Sequence, residues 1–154
     1  MPDPTTRLER KTIDKVNDLV SINVDSAKGF KEAADAVKDD RFANMFREAA
    51  EQRRGFANDL AGYIQHEMKP DSDGSAKAKI HRWWLDVRAK LSDGDTHTVL
   101  EEAERGEDQI KGLYEKVLKE TAGSPLNDVL QRQYAAVKKT HDRVRDLRDA
   151  TKAA

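Results

Sequence analysis

Apolar residues recur at three- and four-residue steps along four long stretches of this chain, which places them on one face of an α-helix. No stretch alternates with the period of two that a half-buried strand requires. The sequence therefore predicts an all-α chain. The predicted inward residues are Ile13, Val16, Val20, Ala27, Phe30, Ala34 and Val37, then Phe42, Met45, Ala49, Phe56, Leu60 and Tyr63, then Val99, Ala103, Ile110, Leu113 and Val117, and last Leu126, Leu130, Val137, Val144 and Leu147.

Short interruptions separate these stretches. Asp39-Asp40 breaks the first pattern, and an aspartate there can cap the next helix by accepting bonds from its first amides. Gly123-Ser124-Pro125 combines a Gly stop, a Ser cap and a Pro at the first helical position. The predicted helices span residues 6–38, 41–68, 76–91, 96–121 and 125–151.

The lengths of the connections predict how these helices are arranged. Both short turns favour antiparallel hairpins, and the long connection between them carries only the short helix over 76–91. Two hairpins joined in this way are typical of a bundle with one crossover. We therefore predict a ferritin-like antiparallel four-helix bundle with a short extra helix in the crossover between the second and third helices. Its 154 residues suit a single domain over 1–154.

Composition excludes several classes of function. The 28 basic and 29 acidic residues leave a net charge of -1, which argues against binding to nucleic acid or to a membrane surface. The absence of cysteine excludes disulfides and thiolate chemistry. The first residues lack the basic and apolar regions of a secretory signal. We expect a cytoplasmic protein.

Glycines inside the predicted helices raise a packing question, since each costs roughly 0.5–1 kcal/mol relative to alanine. We expect close approach between helix backbones to compensate for this cost. The five positions are Gly29, Gly55, Gly62, Gly106 and Gly112.

Short sequence motifs spread over nearly the whole chain carry a family resemblance. They are Gly29-Phe30 with Ala33-Ala34, Gln52-Arg53 with Phe56 and Leu60, His81-Arg82-Trp83, Glu104-Arg105-Gly106-Glu107-Asp108, and His141-Asp142-Arg143-Val144-Arg145. In these motifs the chain resembles an uncharacterised bacterial family of ferritin-like four-helix-bundle proteins with a domain of unknown function. The resemblance implies the fold and a bacterial origin, and it suggests a role in a stress response. It implies no activity, because a shared fold does not supply one.

The ligand motif of di-iron bundles is missing from the sequence. Those proteins use Glu-x-x-His on two helices, which aims a carboxylate and an imidazole at the bundle axis. The residues three positions before the four histidines are Tyr63, Ala78, Gly94 and Lys138. None of these is a carboxylate. We therefore expect no cofactor at a standard di-iron centre.

Polar residues nevertheless take the inward positions at one level of the predicted core. They are Asn23, Arg53, Glu104, Glu107 and His141. In one interpretation they form a structural polar cluster, in which Arg53 neutralises Glu104 or Glu107 and His141 joins the same network, because buried charges persist only when they are paired. This interpretation favours a non-enzymatic structural or protein-interaction module.

The alternative interpretation is a degenerate metal site. Its candidate ligands are Glu48, Glu51, Glu104, Glu107 and His141. Carboxylate oxygens with one imidazole suit iron, manganese or zinc. The observation that separates the two interpretations is whether Arg53 lies within hydrogen-bonding reach of Glu104 or Glu107.

Adjacent tryptophans in the predicted crossover helix indicate an interface. Trp83 and Trp84 lie about 100° apart on a helix, so both cannot face inward. We expect one of them to form part of a protein-interaction surface. The expected partners are a second copy of this chain, in a homodimer, or a protein of unknown identity.

Overall fold

The computed structural model describes residues 10–64 and 96–153. Within these ranges the chain forms four helices and no strand, which confirms the predicted all-α class for this part of the chain. The predicted helix over 76–91, with Trp83 and Trp84, lies outside the described residues. The helices are α1 (Arg10–Ala36), α2 (Asp40–Ile64), α3 (Thr96–Glu120) and α4 (Pro125–Ala153).

Capping residues begin and end the helices at the predicted breaks. The Asp39 carboxylate accepts a hydrogen bond of 2.9 Å from the Arg41 amide and so caps α2. The Ser124 hydroxyl accepts a bond of 3.2 Å from the Leu126 amide at the start of α4. Gly123 has φ of 86°, a left-handed conformation that favours glycine. The predicted stop and caps are confirmed.

All four helices contribute to one hydrophobic core, and most of the predicted inward residues are buried or packed against it. Tyr63 is an exception, since it is 54% exposed. The buried face of α2 is centred on Phe46, Arg53 and Leu60, and Tyr63 lies roughly a quarter-turn from that line. Its predicted inward position is therefore wrong. Phe46 and Tyr114 are fully buried core residues that the periodic pattern missed.

Helix packing follows a definite order. Helix α1 packs against both α2 and α3, and α3 packs against α4, whereas α2 and α4 make few contacts. Helices α2 and α3 are not among these closely packed pairs. A side-chain contact between α2 and α3 therefore crosses the interior of the packed helices.

Three of the helical glycines do not mark close approach between helices. A Cβ atom built on Gly55, Gly62 or Gly112 would meet nothing within 4 Å. The prediction that close packing compensates for their cost is wrong at these positions, because their faces point away from neighbouring helices.

None of the helices in the described ranges is both long enough and apolar enough to cross a membrane.

Candidate functional site

The centre of the structure holds a buried ion pair between α2 and α3. Arg53 and Glu107 both have side chains with 0% exposure. The Nη1 group of Arg53 donates to Oε1 of Glu107, and the Nη2 group donates to Oε2 at 2.6 Å. Two parallel hydrogen bonds of this kind match the planar guanidinium to the planar carboxylate. Arg53 thus lies within hydrogen-bonding reach of Glu107, the arrangement that the structural interpretation requires.

Residues of α1 complete the surroundings of Arg53. Its Nη1 group lies 3.4 Å from the Ser26 hydroxyl, which can accept a hydrogen bond. Its guanidinium carbon lies 5.3 Å from the ring centroid of Phe30, a cation–π contact. Phe30 in turn stacks on Phe46 with ring centroids 5.9 Å apart. Helices α1, α2 and α3 therefore all hold the guanidinium in place.

A second buried polar chain runs across α1, α3 and α4. The Tyr114 hydroxyl accepts a hydrogen bond of 2.9 Å from the Asn23 amide and donates one of 2.6 Å to Oε1 of Gln133. The Asn23 amide also donates to the Leu19 carbonyl at 2.9 Å. Burial raises the pKa of Tyr114 far above its usual value, so the phenol stays protonated. Asn23 therefore belongs to this chain of hydrogen bonds and not to the Arg53 pair.

Glu104 and Glu107 face different neighbours. Successive helical residues are rotated by about 100°, so residues three apart diverge by about 60°, whereas Glu104 and Asp108, four apart, diverge by only about 40°. Glu107 reaches Arg53 in the interior. Glu104 faces α4, where the Arg148 guanidinium donates to its Oε2. Only one of the two glutamates therefore neutralises Arg53.

His141 lies on α4 against the same face of α3. Its Nε2 atom is 2.7 Å from Oδ1 of Asp108 and 3.8 Å from Oε1 of Glu104, and its side chain is 9% exposed. Its Nδ1 atom is 3.1 Å from Oδ1 of Asp142. The hydrogen bond with His141 lowers the pKa of the Asp142 carboxyl below its usual value. His141 therefore contacts three carboxylates. Contrary to the structural interpretation of the sequence, it does not join the network of Arg53.

A groove of about 420 Å³ opens beside this cluster. Its walls include Glu104, Asp108 and Arg148, together with His97 at the start of α3. The Nε2 atom of His97 lies 2.7 Å from Oε1 of Glu101. The groove is thus lined by carboxylate, imidazole and guanidinium groups.

The remaining metal-ligand candidates lie apart from His141. Glu51 is a surface residue with a 74% exposed side chain, and its Oε1 atom lies 3.7 Å from Nη1 of Arg54. Glu48 lies on the wall of a groove of about 360 Å³ between α2 and α4. The structure therefore brings Glu104 and His141 together, whereas Glu107 bonds to Arg53, Glu51 pairs with Arg54 and Glu48 lines the groove between α2 and α4.

Among known protein families, residues 11–120 match the family model described as Domain of unknown function (DUF2383). The match covers well over half of the chain. This chain belongs to that family. Membership in a family of unknown function is thereby confirmed, and no curated protein matches the chain. The match to DUF2383 ends at the last residue of α3, so Glu107 and Asp108 lie within it and His141 lies beyond it.

Several residues that shape these sites in this DUF2383 member were not singled out from the sequence. Asp108 follows Glu104 by four positions, a spacing that places both on one helical face and could have identified it. Gln133 and Tyr114 give no comparable signal, because their pairing joins two helices. Chemically, the pair in the interior can hold helices in register, whereas the cluster beside the groove brings two carboxylates and one imidazole together, of which only Asp108 is well exposed.

Proposed function

We propose that this chain is a non-enzymatic, ferritin-like helical bundle that acts as a structural or protein-interaction module. The observation that supports this function is the fully buried pair between Arg53 and Glu107. A guanidinium with both of its terminal nitrogens on the central carboxylate fills the space and supplies the charge that a metal ion would otherwise supply. The bundle then has a stabilising polar centre and not a reactive one.

Contacts between helices support the antiparallel part of this proposal. Along α1, Lys15 pairs with Glu120 and Asn23 bonds to Tyr114, so positions rise on α1 while they fall on α3. The hydrogen bond from Tyr134, in the first half of α4, to Glu115, in the second half of α3, agrees with an antiparallel pair. These pairings are what neighbouring antiparallel helices of a ferritin-like bundle would give.

The cellular setting is part of the proposal. A ferritin-like member of this family would act in the bacterial cytoplasm, with a role in the response to stress. We further propose that the module associates as a homodimer or with another protein through a surface that includes Trp83 and Trp84. The near absence of a net charge supports a protein partner over nucleic acid.

Metal analysis tests the main proposal directly. Untagged protein would be purified without chelator, and its iron, manganese and zinc contents measured before and after ferrous iron is added, together with oxygen consumption. We expect no oxygen consumption and no two-metal centre that depends on Glu107. Stoichiometric iron that is lost in Glu107→Gln, with iron-dependent oxygen consumption, would overturn the proposal.

Light scattering coupled to size-exclusion chromatography tests the assembly. We expect a dimer mass for the unaltered chain and a monomer mass for Trp83→Ala/Trp84→Ala. Tyr63→Ala is the matched control, because it removes an aromatic side chain that is 54% exposed on α2. A dimer that persists in the tryptophan variant would exclude this surface. If the unaltered chain is itself a monomer, the homodimer is excluded and only association with another protein remains.

Metal binding is the second candidate function, and one observation favours it. The ligand atoms of Glu104, Asp108 and His141 all lie within 4.8 Å of one another. Because Glu104 and His141 are separate from the Arg53 pair, binding there is compatible with a structural bundle centre.

A further inference from the structure

One turn of α3 and one position of α4 bring together three side chains that metal ions use. We propose that Glu104, Asp108 and His141 bind one divalent transition-metal ion at the groove between these helices, with zinc as the ion that suits the donor set. This inference names the ion for the second candidate function, on which it rests, and the site uses none of the residues in the buried pair.

The distances fit a zinc ion after small side-chain rotations. Zinc is held by nitrogen and oxygen at about 2.0–2.1 Å in a tetrahedron, so its ligand atoms lie about 3.3 Å apart. The Nε2 atom of His141 is 2.7 Å from Asp108 and 3.8 Å from Glu104, which brackets that separation. Three such ligands are what open zinc sites use, with water in the fourth position.

Asp142 orients the imidazole for this role. Its Oδ1 atom lies 3.1 Å from Nδ1 of His141, where it can accept a hydrogen bond from the N–H group of that nitrogen. With zinc bound, that tautomer offers the lone pair of Nε2 to the ion, which takes the place of the proton that the 2.7 Å contact with Oδ1 of Asp108 requires in the metal-free chain. Metal-binding histidines commonly donate their second nitrogen to a carboxylate in this way, which fixes the ring and raises its basicity.

Charge and access also favour a cation. Glu104 and Asp108 carry the two negative charges that balance a divalent ion. Arg148, which donates to Oε2 of Glu104, has its own charge offset by a second ion pair with Asp149. Oε1 of Glu104 lies 3.8 Å from Nε2 of His141. The Asp108 side chain is 56% exposed, and the groove beside it gives solvent and ions a path to the site. One imidazole with two carboxylates suits zinc, and zinc binds such sites more tightly than manganese or ferrous iron.

Zinc titration tests the site. Untagged chain, first stripped with a chelator and then dialysed, would be titrated with zinc chloride in competition with a chromophoric chelator. We expect one zinc per chain, with affinity lowered at least about tenfold by His141→Ala and by Asp108→Asn. Because Asp108 is an exposed residue and asparagine keeps its shape, that variant is expected to fold even if His141→Ala does not.

His97→Ala is the matched control. His97 lies on the same groove, and its ring nitrogens contact Glu101 and Thr151 at 2.7 and 3.0 Å. We expect its zinc affinity to stay within about twofold of the unaltered chain, and zinc to raise the melting temperature of both. No zinc binding by the unaltered chain would overturn the proposal. Unchanged affinity in Asp108→Asn, or an equal loss in His97→Ala, would also overturn it. None of these three outcomes affects the test of the buried pair, which depends on Glu107.

Discussion

Arg53 and Glu107 share two hydrogen bonds in a part of the core where neither side chain has any exposed surface. Removing each charge from water costs several kcal/mol, and their attraction offsets this cost only while both partners are present. The pair is therefore worth little compared with a well-packed apolar pair, yet it is costly to break by changing one member.

Glu107→Gln should destabilise the chain by about 3–5 kcal/mol, because it leaves the Arg53 guanidinium charged and unpaired in the core. Denaturant unfolding followed by circular dichroism measures this change. The double variant Arg53→Met/Glu107→Leu should be more stable than either single variant, since it removes both charges and keeps apolar volume.

The surface pair of Arg54 and Glu51 is the matched control for that experiment. Their side chains are 61% and 74% exposed. Glu51→Gln should leave the free energy of unfolding nearly unchanged, because exposed ion pairs contribute little. Equal effects of Glu51→Gln and Glu107→Gln would show that burial of the central pair does not control its energy.

Tyr114 should make the chain sensitive to alkaline pH. Because burial raises its pKa in the folded state, its contribution to stability is complete below the ordinary tyrosine pKa of about 10 and is lost as the pH rises above that value. The melting temperature should therefore fall more steeply above pH ~10 in the unaltered chain than in Tyr114→Phe. Other titrating groups are common to both chains and cancel in the comparison. Parallel pH profiles would contradict this prediction.

Gly55→Ala should stabilise the chain by roughly 0.5–1 kcal/mol, because alanine restricts the unfolded chain and its Cβ meets nothing within 4 Å. Gly123→Ala is the opposite case. Its φ of 86° would force alanine into the left-handed region, at a cost of roughly 1–2 kcal/mol. Thermal unfolding of both variants checks the two signs, and a gain at Gly123 would refute the argument.

Asn127 should stabilise the junction between α3 and α4. Its side-chain amide donates to the Leu118 carbonyl at 2.9 Å and to the Thr121 hydroxyl at 3.0 Å. Asn127→Asp keeps the shape but replaces the donor with an acceptor, so we expect a loss of about 1–3 kcal/mol in unfolding experiments. Asn58→Asp, at an exposed position of α2, is the control and should change stability little.

The helices of the described ranges could be predicted from sequence because their signals are local. Apolar spacing fixes a buried face, and Gly123 with Ser124 fixes a helix end and the next start. The orientation of α2 was predicted less well. Arg53 lies at the middle of its buried face, and a charged residue there interrupts the apolar pattern and shifts the apparent centre toward Tyr63.

The candidate sites could be predicted only in part. An inward charge needs a partner, so the sequence predicts that Arg53 pairs with Glu104 or Glu107, and the structure pairs it with Glu107. The separation of Glu104 and His141 from that pair depends on small rotations about α3, and the sequence pattern resolves these poorly. The bond between Tyr114 and Gln133 depends on the alignment of α3 with α4, which no local signal specifies.

The packing of α4 has a consequence for where this fold ends. Leu130, Val137 and Val144 have no exposed surface, and all lie after the last residue matched by the family model. A chain that stopped at Glu120 would expose the apolar side of α3 against which α4 packs, and it would lose roughly 25 cal/mol for each Å² uncovered. The hydrophobic core of this protein thus extends beyond the segment that the family model matches, and α4 completes it.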